Sequence, residues 1–261
     1  MTYFVYQFQI FMLVLIRMNA MFTIAPFFSS DILTFRVRAI LSFLVTLVIF
    51  PVISSKGYPI SENMGEYFLM VIREVAIGLY IGFLISLTFT AFQLAAQFFA
   101  LQSGFGMSEV LDPVSQISIP VLGQLINLVG LLVFLAINGH HFLIQAVYSS
   151  YELAPIMTFD VAVMGRLFEF LAHSFGNMFV IALKIALPIL GTLFLLTVSM
   201  GVLAKAAPQM NILMLGFPIK VAATFGLLLI ASPMIVRIMW VALERSFEFM
   251  TRVLLNWPVV G

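Results

Sequence analysis

Arg17, Arg73, Glu74 and Lys184 are formal charges set in otherwise apolar stretches of the chain. Such charges are costly in a membrane and are usually paired or functional. Two readings stand for Arg17 and Lys184. They are residues of a proton or ion path, or they snorkel or pair with carboxylates on partner subunits. The second is favoured, because no run of intramembrane acids accompanies them as a proton relay would require. The histidines carry no metal-site pattern. His140 and His141 are adjacent, so on a helix they point in different directions, and His173 has no Glu-x-x-His companion. Asn138-Gly139-His140 therefore reads as a capping or interface segment. No Gly-x-Ser-x-Gly elbow, phosphate-binding loop or paired-aspartate motif occurs. The chain implies no enzyme, no metal and no cofactor.

The segment from Gly104 to Pro120 has the most unusual chemistry. Gly104 and Gly106 permit backbone angles closed to other residues, and Asp112-Pro113 ends a helix. Yet Phe105, Met107, Val110 and Leu111 make the segment too apolar for a solvated turn. Irregular backbone at membrane depth is tolerated where protein buries it or where it lines a cavity. Two readings follow: a compliant apolar constriction in a conduit, with Met107 and the glycines giving way, or a packed re-entrant turn. A second segment runs from Lys205 through Pro208, Gln209 and Asn211 to Gly216-Phe217-Pro218 and Lys220. Its prolines, glycine and amides suit a helix–turn–helix whose polar tip caps neighbouring helix ends.

These residues sit on an unusual frame. Of 261 residues, 63% are hydrophobic and 9% charged, and the mean hydropathy is +1.16. A soluble domain would carry about a quarter charged residues, so much of this apolar surface must face lipid or other apolar subunits. A net charge of +1 with no basic cluster gives no sign of nucleic-acid binding. The absence of cysteine excludes disulfides, thiolate metal sites and a cysteine nucleophile. No Lys or Arg precedes Arg17, so the first apolar run is expected to be a retained helix rather than a cleaved leader.

Six apolar stretches, about Phe4–Phe28, Ala39–Ile53, Phe68–Gln102, Ile119–Ser149, Leu167–Leu203 and Phe217–Leu243, predict an all-α membrane protein in one membrane domain. A simple bundle of six spans is disfavoured. A helix over Phe68–Gln102 would run about 50 Å, against a hydrocarbon core of about 30 Å. The Lys and Arg between stretches also favour neither orientation. Long hairpins buried against partner subunits meet both difficulties. On the third stretch Gly78, Gly82, Ser86 and Thr90 recur every four residues. Gly78 and Gly82 would admit a second helix at close range, either from this chain or from another subunit.

The chain resembles the FliR/SctT family of type III secretion export-gate proteins over nearly its whole length. The resemblance rests on ordered features: Arg17 with Pro26-Phe27; Arg73-Glu74 with Gly78 and Gly82; Gln102-x-Gly104 leading to Asp112-Pro113; and Asn138-Gly139-His140. It continues through Lys184 with Pro188, Gly201 to Lys205, Pro208-Gln209-Met210-Asn211 and Gly216-Phe217-Pro218-x-Lys220. Lys205 departs from the family's more usual Arg, keeping the charge without the bidentate fork. The resemblance implies a closed helical assembly of hairpins raised from the membrane plane. About residues 1–160 would form a FliP-like part and about 161–261 a FliQ-like hairpin. It implies several copies each of FliP and FliQ as partners, an FlhB-type switch protein, export substrates in transit, and the bacterial inner membrane at the flagellar basal body. Gly104, Phe105, Gly106, Met107, Val110, Leu111, Asp112 and Pro113 match the family's plug. The injectisome counterpart and a small-solute secondary transporter are the alternatives.

Overall fold

A computed structural model describes residues 2–30, 33–55, 57, 60–61, 63–104, 121–153, 161–209 and 212–255. Among these, the elements are seven α-helices: α1 Thr2–Ile24, α2 Phe35–Ser55, α3 Met64–Ser103, α4 Val121–Ala136, α5 Gly139–Leu153, α6 Val161–Ala206 and α7 Ile212–Leu255. Among the described residues, five helices are long and apolar enough to cross a membrane, or up to six crossings if α4 and α5 form one broken span. At 1.5 Å per residue, the 40, 46 and 44 residues of α3, α6 and α7 run about 60, 69 and 66 Å. The expected overlong helices are present, and α6 and α7 are longer than their apolar stretches.

Local chemistry sets the helix limits. Asn63 caps α3, its Oδ1 accepting from the Gly65 N–H at 3.0 Å, and Ser61 reaches Glu66 of the first turn. The fourth apolar stretch is not one helix. Asn138 adopts φ +56°, and its carbonyl accepts from the N–H groups of His141 and Phe142 at 2.9 and 3.3 Å. Asparagine tolerates this left-handed conformation better than most residues, so α4 ends and α5 begins here. α7 continues past Leu243 because its charges lie on one side. Glu244, Arg245, Glu248 and Arg252 are exposed, while Leu243, Phe247, Met250, Val253 and Leu254 are buried at helical spacing. Pro51, Pro188, Pro218 and Pro233 lie inside helices and remove a backbone donor each.

The chain divides into two compact units, Met1–Leu87 with Leu135–Ser174 and Leu243–Gly261, and Thr88–Phe134 with Phe175–Ala242. In the first, α1 packs on α2, with the Phe11 ring edge-on to Phe43 and Phe50 at 5.6 and 5.5 Å. Phe142 of α5 stacks on Phe247 of α7 at 4.8 Å. Ile10, Leu13, Met18 and Met21 of α1 and Ile77, Ile81 and Ile85 of α3 are fully buried. In the second, Phe92, Phe99 and Phe134 are buried, and Phe92 lies so close to Gly130 that a Cβ there would sit 2.8 Å from its ring.

Candidate functional site

The first unit has a polar centre inside an apolar core. Arg17 of α1 and Glu74 of α3 form a bidentate pair, Nε donating to Oε2 at 2.5 Å and Nη2 to Oε1 at 2.9 Å. Arg17 Nη1 donates to Ser150 Oγ at 2.7 Å, and the Tyr151 hydroxyl donates to Glu74 Oε2 at 3.0 Å. The guanidinium also lies over the Tyr151 ring, 3.7 Å from its centroid. Arg17 and Glu74 are 0% and 1% exposed. A buried pair is tolerable only when its geometry is good and its remaining donors and lone pairs are satisfied. Ser150 and Tyr151 provide that satisfaction, and the Ser150 hydroxyl donates to the Val147 carbonyl at 2.6 Å.

Glycines make the close approach possible. Glu74, Gly78 and Gly82 lie one turn apart on the same face of α3. A Cβ at Gly78 would stand 2.3 Å from the Arg17 carbonyl oxygen, and one at Gly82 would stand 2.8 Å from that of Met21. At Gly78 and Gly82 the small-residue face is therefore an internal α1–α3 contact. Arg17 finds its carboxylate on its own chain rather than on a partner. The charges are spent on each other and shielded from water, so the cluster pins α1, α3 and α5 in register and offers no free acid or base.

The second unit brings together two segments that were separate in the sequence. α3 ends at Ser103 and Gly104 takes φ +91°, with its N–H on the Leu101 carbonyl at 3.3 Å. The Phe217 ring covers Gly104 so closely that a Cβ there would meet ring carbons at 2.8 and 2.9 Å. Gly216 in turn lies against Met200, its would-be Cβ 3.1 Å from Sδ. Phe105, Gly106, Met107, Val110, Leu111, Asp112 and Pro113 lie outside the described residues, as does Asn211.

The remaining sequence-predicted residues disperse. Arg73 and Lys220 are half-buried, and Thr224 Oγ1 donates to the Lys220 carbonyl at 2.8 Å. Lys205, Pro208 and Gln209 are exposed at the end of α6, where a cation complements the helix dipole. Of the two charges expected to be buried, the chain buries Arg17 only. Lys184 stands exposed midway along α6. His140 and His141 rings lie 4.2 Å apart, and among the described residues no three His, Cys, Asp or Glu gather as metal ligands would. No local pattern in the sequence marks Ser150, Tyr151 or Phe217 as members of these clusters. Their partners lie 133, 77 and 113 residues away.

With the geometry in hand, comparison with known proteins is specific. Residues 8–246 match the family model described as "Bacterial export proteins, family 1". The flagellar biosynthetic protein FliR of Bacillus subtilis is 29% identical over 248 residues, covering 95% of each chain. That of Pectobacterium carotovorum is 30% identical over 84% of this chain and 83% of its own. The Yop proteins translocation protein T of Yersinia pestis is 28% identical over 84% of each.

Proposed function

The chain belongs to family 1 of the bacterial export proteins, and from that premise we propose that it is a structural, non-enzymatic subunit of the flagellar type III protein-export gate. It helps to form and seal the conduit through which unfolded substrates pass. One observation carries the reading beyond family membership: α3, α6 and α7 are far longer than a bilayer is thick, and α6 and α7 still expose apolar faces. Leu195, Val202, Leu229 and Ile230 are each more than three-fifths exposed. Surface of that kind is suited to hairpins that pack against hairpins of other subunits.

In this reading about residues 1–160 act as a FliP-like part and about 161–261 as a FliQ-like hairpin. Several copies each of FliP and FliQ and an FlhB-type switch protein are the partners, in the inner membrane at the flagellar basal body. The Gly104–Pro120 segment is the plug. Phe105, Met107, Val110 and Leu111 dewet and seal the conduit, Gly104 and Gly106 act as hinges, and Asp112-Pro113 keeps the segment from continuing as a helix. The left-handed turn at Gly104 and its cover by Phe217 support an anchored start for that segment.

The test is conductance. The complex with residues 106–116 deleted should assemble and pass small ions at rates well above wild type. Equal conductance would dismiss the plug. A second reading, the corresponding subunit of a virulence injectisome, is favoured by the similarity to the Yersinia protein. Restoration of motility to a strain lacking its FliR would decide for the flagellar system. A secondary transporter would instead purify stably without other subunits.

A further inference from the structure

Val180, Lys184, Leu187, Gly191, Leu195 and Val198 recur along α6 at three- and four-residue steps, the spacing of a seam that a second helix packs into. All six are exposed, the four aliphatic ones by 47–65%. The seam runs about 27 Å at 1.5 Å per residue. A Cβ on Gly191 would meet nothing within 4 Å, so the helix backbone itself is open to close approach there. One turn in from the N-terminal end of this apolar stripe stands the Lys184 ammonium, and among the described residues no acid pairs with it. The nearest acid on its own helix, Glu169, is 15 residues or about 22 Å away.

Lipid alone does not account for this face. Apart from Lys184, residues 170–204 of α6 contain no Asp, Glu, Lys or Arg, a length of about 52 Å against a hydrocarbon core of about 30 Å. With Lys184 at the headgroup level and 185–204 in the core, Phe175, Phe179, Val180 and Leu183 stand outside the bilayer with 43–51% of their surface uncovered. With those residues in the core, the ammonium lies in hydrocarbon without a counter-charge. Either placement requires protein over the surface beside Lys184, and the ammonium fixes its chemistry.

We propose that this face of α6 seats an apolar helix of a different gate subunit, which presents an Asp or Glu carboxylate to Lys184. The proposal rests on the reading of the chain as part of a heteromeric gate. It adds the face, the position and the sign of charge of one interface. A carboxylate is the only protein anion available at that depth, and a single ion pair in an apolar seam sets register between helices. A second copy of this chain packed symmetrically on the seam would bring Lys184 near its own image, and like charges disfavour that contact.

The full chain co-expressed with the subunits encoded beside it supplies the test. The purified complex is treated with a zero-length carbodiimide and digested, and Lys184 links are identified by mass spectrometry. The expected result is a link from Lys184 to an Asp or Glu on a different polypeptide. Acetylation of Lys184 by a small amine reagent should also be slowed roughly ten-fold or more in the complex relative to the chain alone in detergent. Lys184→Glu should lower the recovered complex by roughly ten-fold or more, and Lys184→Arg should retain it. Equal acetylation in both samples overturns the proposal in favour of a headgroup-facing lysine. A link to Asp112 or Glu109 overturns it in favour of a partner on the chain's own loop, and a link to Glu169 in favour of a second copy. A chain that fails to carry any other subunit through purification when they are co-expressed contradicts the gate reading as well, whereas an intact complex lacking the link contradicts the seam alone.

Discussion

Arg17 and Lys184 are the same kind of problem, a cation in an apolar helix, met in opposite ways. Arg17 in α1 is fully buried, paired twice with Glu74, and backed by Ser150 and Tyr151. Lys184 in α6 is exposed among aliphatic side chains. The glycines near them differ in the same sense. A Cβ at Gly78 or Gly82 would strike the backbone of α1, while one at Gly191 would meet open space. In one region small residues and charge complete the fold of the chain. In the other they remain available to something else. Burial of the partner, rather than residue type, separates a folding feature from an assembly feature.

Disrupting the Arg17 region should give the largest effect on the chain itself. Glu74→Gln leaves a guanidinium buried without its counter-charge, at a cost of about 3–5 kcal/mol. Thermal unfolding of the full chain in detergent, followed by circular dichroism, measures it. Replacing both Arg17 and Glu74 by Met should cost much less than either single change, because two charges are then removed together. If the double replacement costs as much as the sum of the two singles, the pair is not the unit of stability described above.

The glycines sharpen the contrast with opposite signs. Gly78→Val should cost about 1–3 kcal/mol or more, since the clash is with backbone rather than with a movable side chain. Gly191→Ala should stabilise the isolated chain by about 0.5–1 kcal/mol, because alanine is the better helix former and nothing opposes its methyl group. The same change should weaken recovery of the heteromeric complex. A Gly191→Ala chain that unfolds earlier than wild type would mean that the face is already occupied within the chain.

The smallest effect is expected at Glu248 and Arg252, whose 3.8 Å pair is largely exposed. Glu248→Gln should change stability by less than about 0.5 kcal/mol, which sets the scale against which the buried pair is judged.

The sequence revealed this contrast only in part. Most of the helices and their excess length are legible because long apolar runs such as Phe68–Gln102 and Leu167–Leu203 leave few alternatives. The isolated charges were legible as problems, but their solutions were not. Glu74 lies 57 residues from Arg17 and Ser150 lies 133, and periodicity carries no information about pairing across such distances. The break at Asn138 was marked by Asn-Gly, yet surrounding hydropathy continued through it, so one stretch concealed two helices. α7 outran its apolar stretch because a polar side does not end a helix whose other side is still being buried. Gly104 stands out in the sequence as a residue of unusual backbone, whereas its cover by Phe217 is a tertiary contact with no local signature.

The most direct test places Glu74→Gln and Lys184→Glu side by side, each in the isolated full chain and in the co-expressed complex. Glu74→Gln should lower the melting temperature of the isolated chain by many degrees. Lys184→Glu should leave that temperature within about a degree of wild type and sharply reduce the complex recovered. A comparable loss of melting temperature in the isolated Lys184→Glu chain, or full recovery of its complex, would contradict the division between a charge used for folding and a charge used for assembly.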